Sequence, residues 1–209
     1  MEFLRFADSL GIPMRIDAHD FSGWVAENIG QLSKECVPLW HPLGFVSTVV
    51  AKVDGSHTLR LHYWPKNERR TKNPDWPIHT HSYSLSSLVL AGRVEDLQYE
   101  LEAGVQYSVY EVRYFGGNSE ILRTNRTASI AKIAAHVHSP GTQYRVERGV
   151  FHQSRVAYED SAVTLVALSE NSSEPPLVLG TTGDTRYPYD RTQYDPNTFW
   201  AAVRSALGA

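Results

Sequence analysis

His79-Thr80-His81 places two imidazoles one residue apart, and Gly149-Val150-Phe151-His152 supplies a third. On a strand, residues i and i+2 share a face and lie roughly 6.6 Å apart along it. On a helix the same pair would diverge, because helical neighbours are three or four positions apart. A strand therefore aims both rings at one metal ion, and a helix does not. Three protein ligands leave open coordination positions, the mark of a catalytic rather than a structural metal site. Imidazole suits Fe, Zn, Cu and Ni, so ligand type alone does not choose the metal.

The elements that must position these rings are short and β-rich. From Gly44 onward, runs of Val, Thr and aromatic residues alternate with turn residues, and no helices are interleaved. Strands are expected at 45–53, 58–64, 78–84, 87–90, 93–100, 107–115, 119–127, 129–137, 143–146, 152–157 and 162–168. Asp54-Gly55 reads as a tight turn between the first two. So many short strands at this spacing predict an antiparallel sandwich or barrel.

Helices are expected at both ends. Phe3, Leu4, Phe6, Ala7 and Leu10 form one apolar stripe, ended by Gly11-Ile12-Pro13. A second helix starts near Asp20, capped by Asp20 or Ser22, carries Trp24, Val25, Ile29 and Leu32, and fades before Pro38. Residues 169–195 read as irregular. Asp195 then caps a terminal helix with Pro196 at its first position.

The second histidine region reads Gly141-x5-Glu147-x-Gly149-x2-His152-x3-Val156. With His79-x-His81 and Gly92, it resembles the two motifs of the cupin superfamily. The three histidines and three glycines fall at the family spacing. Four positions depart: Asn73 stands for the first glycine, Leu85 for the glutamate, Glu147 for the proline and Val156 for the asparagine. The resemblance implies a mainly β fold, a cupin jelly-roll (double-stranded β-helix) barrel over residues 41–170. Residues 1–40 would be a helical segment packed on it, and 171–209 an irregular tail with a short terminal helix.

Within that superfamily the three-histidine pattern is similar to the cysteine-dioxygenase type of non-haem iron enzyme. The resemblance implies His79, His81 and His152 as ligands of one divalent ion, Fe(II) favoured, with zinc or another transition metal open. It also turns Arg60, His62 and Trp64 toward the barrel interior, and the strand period independently puts these three on one face. The substrate apparatus does not carry over. The position of those enzymes' carboxylate-binding arginine is about Ser47, and their cysteine–tyrosine crosslink meets Ser86 and Ser169.

With Leu85 in place of a glutamate, three neutral imidazoles leave the ion's charge uncompensated, which welcomes an anionic substrate atom. Arg60 is a candidate clamp for a carboxylate, His62 for proton transfer, and Tyr144 for a further catalytic group. Each has a plainer reading, as an ion-pair, hydrogen-bonded or core residue. Phe45, Tyr63, Trp64, Tyr83 and Tyr144 suffice for an aromatic-walled pocket. Gln153 points away from the metal face. His136-x-His138 is a competing pair without a third histidine at a matching interval.

Composition bounds the rest. The chain has 209 residues, 42% hydrophobic and 21% charged, with net charge −3; nothing in that balance draws it toward nucleic acid or anionic membrane. One cysteine, Cys36, excludes an internal disulfide framework and a multi-thiolate zinc site, and reads as structural. Lys66, Arg69, Arg70 and Lys72 read as a solvated loop. No apolar run approaches the ~20 residues of a membrane span, no signal-peptide pattern opens the chain, and a cytoplasmic location is expected. The expected partners are a small anionic substrate and O2, and a homodimer is left open.

Two function classes follow. The first is a mononuclear Fe(II) oxygenase or dioxygenase acting on a thiol or amino-acid derivative. A zinc cupin performing a non-redox rearrangement or bond formation is its redox-silent variant. The second is a non-catalytic cupin that binds a small ligand.

Overall fold

Alternation along one strand decides where the layers of this protein lie. The computed structural model describes residues 18–53, 57–181 and 183–208. Its third strand, β3 (His57–Trp64), turns Leu59 and Leu61 to one side and Arg60, His62 and Trp64 to the other. The first set packs beneath helices; the second lines the space between two sheets.

The strands before and after it are β1 (Leu39–Trp40), β2 (Val46–Val53), β4 (Ser84–Ala91), β5 (Val94–Phe115), β6 (Asn118–His138), β7 (Gln143–Val146), β8 (Phe151–Arg155), β9 (Ala162–Ser169), β10 (Leu177–Gly180) and β11 (Arg186–Tyr189). One antiparallel sheet runs β1-β2-β3-β9-β4-β7. The other runs β10-β5-β6-β11, with β8 also paired to β5. This is the mainly β, antiparallel two-sheet architecture expected from the sequence, flanked by a helix on each side in sequence.

Helices α1 (Ala18–Glu35) and α2 (Pro196–Leu207) cover the outer face of the six-stranded sheet. Phe21, Val25, Ile29 and Leu32 of α1 recur at helical spacing and meet Leu59, Leu61, Val163 and Leu165. Phe199, Trp200 and Val203 of α2 complete that layer. Burying side chains of this size contributes about 1.5–3 kcal/mol each. Strand β9 is buried at every residue, since helices cover one face and the barrel interior the other.

The terminal helix begins as expected: Asp195 accepts from the Thr198 N–H at 2.7 Å and the Thr198 hydroxyl at 2.6 Å, ahead of Pro196. Helix α1 is already formed at Ala18, so Asp20 and Ser22 lie inside it rather than at its cap. The stripe from Phe3 to Leu10 and the Asp54-Gly55 turn fall outside the described residues.

Three strand expectations change. The four strands expected over 93–137 are two long ones, β5 and β6, joined through Gly116 and Gly117 at φ 54° and 86°. The expected break is a bulge: Glu102 pairs Ser129, and Tyr107 pairs the next residue, Ala128, so four residues of β5 loop out without ending the ladder. The strand expected at 78–84 shrinks to isolated bridges at His79, and β4 starts only at Ser84. The tail holds β10 and β11, four-residue strands that add to the edges of β5 and β6. Their length is too short to register as a periodic pattern.

Gly92, at φ 76°, turns the chain from β4 into β5, and a Cβ there would sit 2.1 Å from the Ser161 carbonyl oxygen. No helix among the described residues is long and apolar enough to cross a membrane.

Candidate metal centre

The His79–His81 segment is extended but is not a regular strand. His79 and His152 exchange backbone hydrogen bonds of 3.0 and 2.9 Å, and Thr80 donates its N–H to the Leu177 carbonyl at 2.8 Å. The Thr80 hydroxyl accepts from the Leu177 N–H at 2.9 Å. The Gly149 N–H donates to the His81 carbonyl at 3.2 Å, and Gly149 itself takes φ 77°. The segment is thus pinned between β8 and β10. That pinning, rather than a ladder, brings the pair beside His152.

The three rings converge. Their ligand atoms all lie within 4.8 Å of one another, and the ring centroids are 4.6, 4.6 and 5.0 Å apart. His81 Nε2 and His152 Nε2 are 3.0 Å apart, about the spacing of two nitrogens on one ion with bonds near 2.1 Å. Among the described residues no other group of three potential ligands meets this test.

Hydrogen bonds from the far side of two rings fix which nitrogen is free. His79 Nδ1 lies 2.8 Å from the Pro77 carbonyl, an acceptor only, so Nδ1 carries the proton and Nε2 is left as a lone-pair donor. His152 Nδ1 lies 3.3 Å from Asp96 Oδ1, with the same consequence. Such partners orient a ligating imidazole and raise its donor strength. Burial, with the neighbouring His152 ring, pushes His79 down to about 3. Burial likewise holds His81 well below its usual value, with the other histidines and Arg60 adding to it. Both are therefore neutral and able to coordinate near pH 7. The donor set fits a divalent transition ion, and His79, His81 and His152 could hold one.

Asp96 is 1% exposed. Burial alone would raise its carboxyl, but hydrogen bonds from His152 and from Gln98 at 2.8 Å outweigh this and lower it. A carboxylate therefore stands directly behind one candidate ligand, so the charge of an ion held there would not be left wholly uncompensated, in contrast to the expectation from three imidazoles and Leu85. Leu85 itself is buried at the inner wall.

Two cavities meet at the histidines. A cleft of about 610 Å³ opens outward from His79 and His81 past Trp76, Tyr83 and Tyr114. Behind it, an interior pocket of about 50 Å³ is bounded by all three histidines, Arg60, His62 and Tyr144. Arg60 borders both. His62 lies only in the interior pocket, 4.7 Å from the Phe45 ring; burial, then Arg60, brings it to about 3. Tyr144 stacks on His138 at 4.1 Å, and burial raises its phenol.

Four of the five expected wall aromatics line these cavities; Tyr63 instead faces outward onto Tyr194 and Phe199. Gln153 points away from the metal face, accepting from the Tyr99 hydroxyl at 3.4 Å. His136 and His138 pair with each other at 6.2 Å and stand outside the ligand group. Glu147 is an outer residue, paired with Arg145 at 2.7 Å. Burial raises the Cys36 thiol at the end of α1, away from both cavities. The basic loop is not simply solvated: Arg69 donates to the Ala157 carbonyl at 3.0 Å, and Lys72 donates to the Tyr187 carbonyl at 2.7 Å while lining the cleft.

Sequence reasoning missed Asp96, His41 and Arg191. Asp96 was readable as a charged residue in phase with inward Val94 and Gln98. His41, stacked on Phe45 at 4.3 Å, borders both cavities from the short β1–β2 connection. Arg191 comes from the tail, where no periodic signal exists.

No protein-family model and no curated protein matches the chain. Among solved structures, it is similar to the DMSP lyase DddQ from Ruegeria pomeroyi DSS-3, at 15% identity and TM-score 0.37, covering 64% of this chain and 50% of that one. It is similar to hydroxypropylphosphonic acid epoxidase from S. wedmorenis at 15% identity and TM-score 0.38, covering 67% and 58%. An RmlC-like cupin from Shewanella frigidimarina NCIMB 400 aligns at 11% identity and TM-score 0.39, over 67% and 88%. The chain spans about half the length of the DMSP lyase structures it matches.

Proposed function

We propose that the protein is a mononuclear metal-dependent cupin enzyme, an Fe(II) oxygenase acting on a small anionic organic substrate such as a thiol or amino-acid derivative. The observation that carries this reading is the convergence of three imidazoles, two of them oriented by hydrogen bonds at Nδ1, at the inner end of an open cleft. A divalent ion held by His79, His81 and His152 would supply Lewis acidity and, as Fe(II), the one-electron chemistry that O2 requires.

The chain's own groups do the rest. Arg60, on the boundary of both cavities, holds the anionic end of the substrate. Trp76, Tyr83 and Tyr114 wall the approach. His62 is neutral at pH 7 and too weakly basic to take a proton efficiently, so it serves as a neutral hydrogen-bonding wall. Tyr144, its phenol kept protonated by burial, faces the interior pocket as a donor.

A zinc enzyme running a non-redox reaction is the second reading, favoured by the all-imidazole donor set, which is also a catalytic zinc pattern. The test is elemental analysis of freshly purified protein with and without chelator, followed by O2 uptake of the Fe(II)-loaded form over thiols and amino-acid derivatives. Substrate-dependent uptake supports the oxygenase. Stoichiometric zinc with no uptake across the panel moves the assignment to the second reading. Failure to bind any divalent ion at one per chain overturns both.

A further inference from the structure

Arg60 and Arg191 reach the same cleft from opposite ends of the fold, one on β3 and one on the tail beyond β11. Each has a buried Nε without a hydrogen-bond partner, and neither takes part in an ion pair among the described residues. Lys52 and Lys72 are further cations on the cleft wall, and no Asp or Glu among the described residues lines it. Buried charge is normally paired. Here two guanidiniums, each with a buried Nε, face one cavity without an ion-pair partner among the described residues.

The Arg191 segment is fixed, not loose. Its N–H donates to Asn118 Oδ1 at 3.3 Å, the Trp40 N–H donates to the Thr192 carbonyl at 2.8 Å, and the Tyr194 N–H donates to the Pro38 carbonyl at 3.0 Å. Tyr194 also sets its ring against Trp40 at 5.2 Å. Burial, and then the nearby Arg60 charge, work against the charge on Arg191; an anion between the two relieves both.

The geometry points to a two-arginine clamp: Arg60 and Arg191 together bind a substrate group carrying two negative charges, an organic sulfate- or phosphate-like ester or a dicarboxylate, beside the histidine centre. This rests on the cleft being the substrate site proposed above, and it narrows "small anionic substrate" to an organic dianion. Two planar forks supply the parallel donors that such oxyanions accept. The walls of Trp76, Tyr114 and Val112 leave room for an apolar body.

Calorimetric titration of chelator-treated protein with sulfate, succinate and acetate, at matched ionic strength and pH 7, tests the clamp without the metal. Sulfate or succinate should bind, with acetate about tenfold weaker or more. Arg191→Gln should lose at least about tenfold in dianion affinity, Arg60→Gln likewise, and Arg191→Lys should fall between. Each variant's circular dichroism and one-per-chain metal uptake should match the parent. Acetate binding as tightly as the dianions, or dianion affinity unchanged in a folded Arg191→Gln, overturns the clamp. Metal uptake without dianion binding sinks the clamp alone; dianion binding without metal uptake sinks the metalloenzyme reading and leaves the clamp standing.

Discussion

Asp96 Oδ1 stands 3.3 Å from His152 Nδ1, and both side chains are almost entirely removed from solvent. β5 and β8 pair so that Asp96 lies opposite Ser154 and Gln98 opposite His152. The carboxylate thus sits one step diagonally from the histidine it orients, on the same inward face. It places negative charge behind the three candidate ligands without being one of them.

Asp96→Asn should weaken divalent-ion affinity by about 10–100-fold while leaving the fold intact. The amide keeps a hydrogen-bonding oxygen but loses the charge that strengthens the imidazole donor. Competition against a chromophoric chelator measures the change. An unaltered affinity would mean that the pair only packs.

Acid should destabilise the metal-free protein well above the carboxylate range. His62 and His79 titrate near 3 when folded and near 6.5 when unfolded. Below about pH 6.5 the unfolded chain binds protons that the native state refuses, so stability present above 6.5 is lost as pH falls toward 3. The slope is about 1.4 kcal/mol per pH unit for each ring. Urea denaturation of chelator-treated protein from pH 7 to pH 5 should show it, and His62→Phe should remove one ring's share. A flat profile, or one untouched by that substitution, contradicts the assignment.

What was readable in the sequence follows from which forces act locally. β3, β7 and β9 were legible because each alternates or runs apolar over its own length, and Asp195-Pro196 marks α2 through local capping chemistry. The histidine trio was legible because the glycine-spaced motif fixes turns: Gly92, Gly141 and Gly149 all take positive φ. The merger of four expected strands into β5 and β6 was not, since a bulge and a turn use the same polar, glycine-bearing residues. Nor were Arg191 and His41, whose places at the cleft depend on the tail crossing β1, where Leu39 bridges Gln193. That contact is wholly tertiary.

Phe199→Ala tests whether the helical layer and the metal centre are separable. Phe199 is fully buried between α2 and the outer face of the six-stranded sheet, against Tyr63. Its truncation should cost about 3–5 kcal/mol in denaturant titration. Metal stoichiometry per folded chain, read by elemental analysis in the absence of denaturant, should stay at the parent level, because the site lies on the other face. A matching loss of stoichiometry would show that the two layers act as one.

His152→Ala and His81→Ala should both reduce metal binding, yet differ sharply in stability. Removing His152 strips the buried Asp96 of one of its two hydrogen-bond partners among the described residues, leaving only Gln98. Breaking a buried charged pair from one side costs about 3–5 kcal/mol. His81 is half-buried, stacks on Tyr83 at 4.7 Å and is opposed by no buried carboxylate among the described residues, so its truncation should cost distinctly less. Adding Asp96→Asn to His152→Ala removes the stranded charge, and the double variant should therefore be more stable than His152→Ala alone, a non-additivity that a double-mutant cycle reads directly. Equal costs for the two alanine variants, with additive behaviour in the cycle, would show that Asp96 does not depend on His152 for its charge.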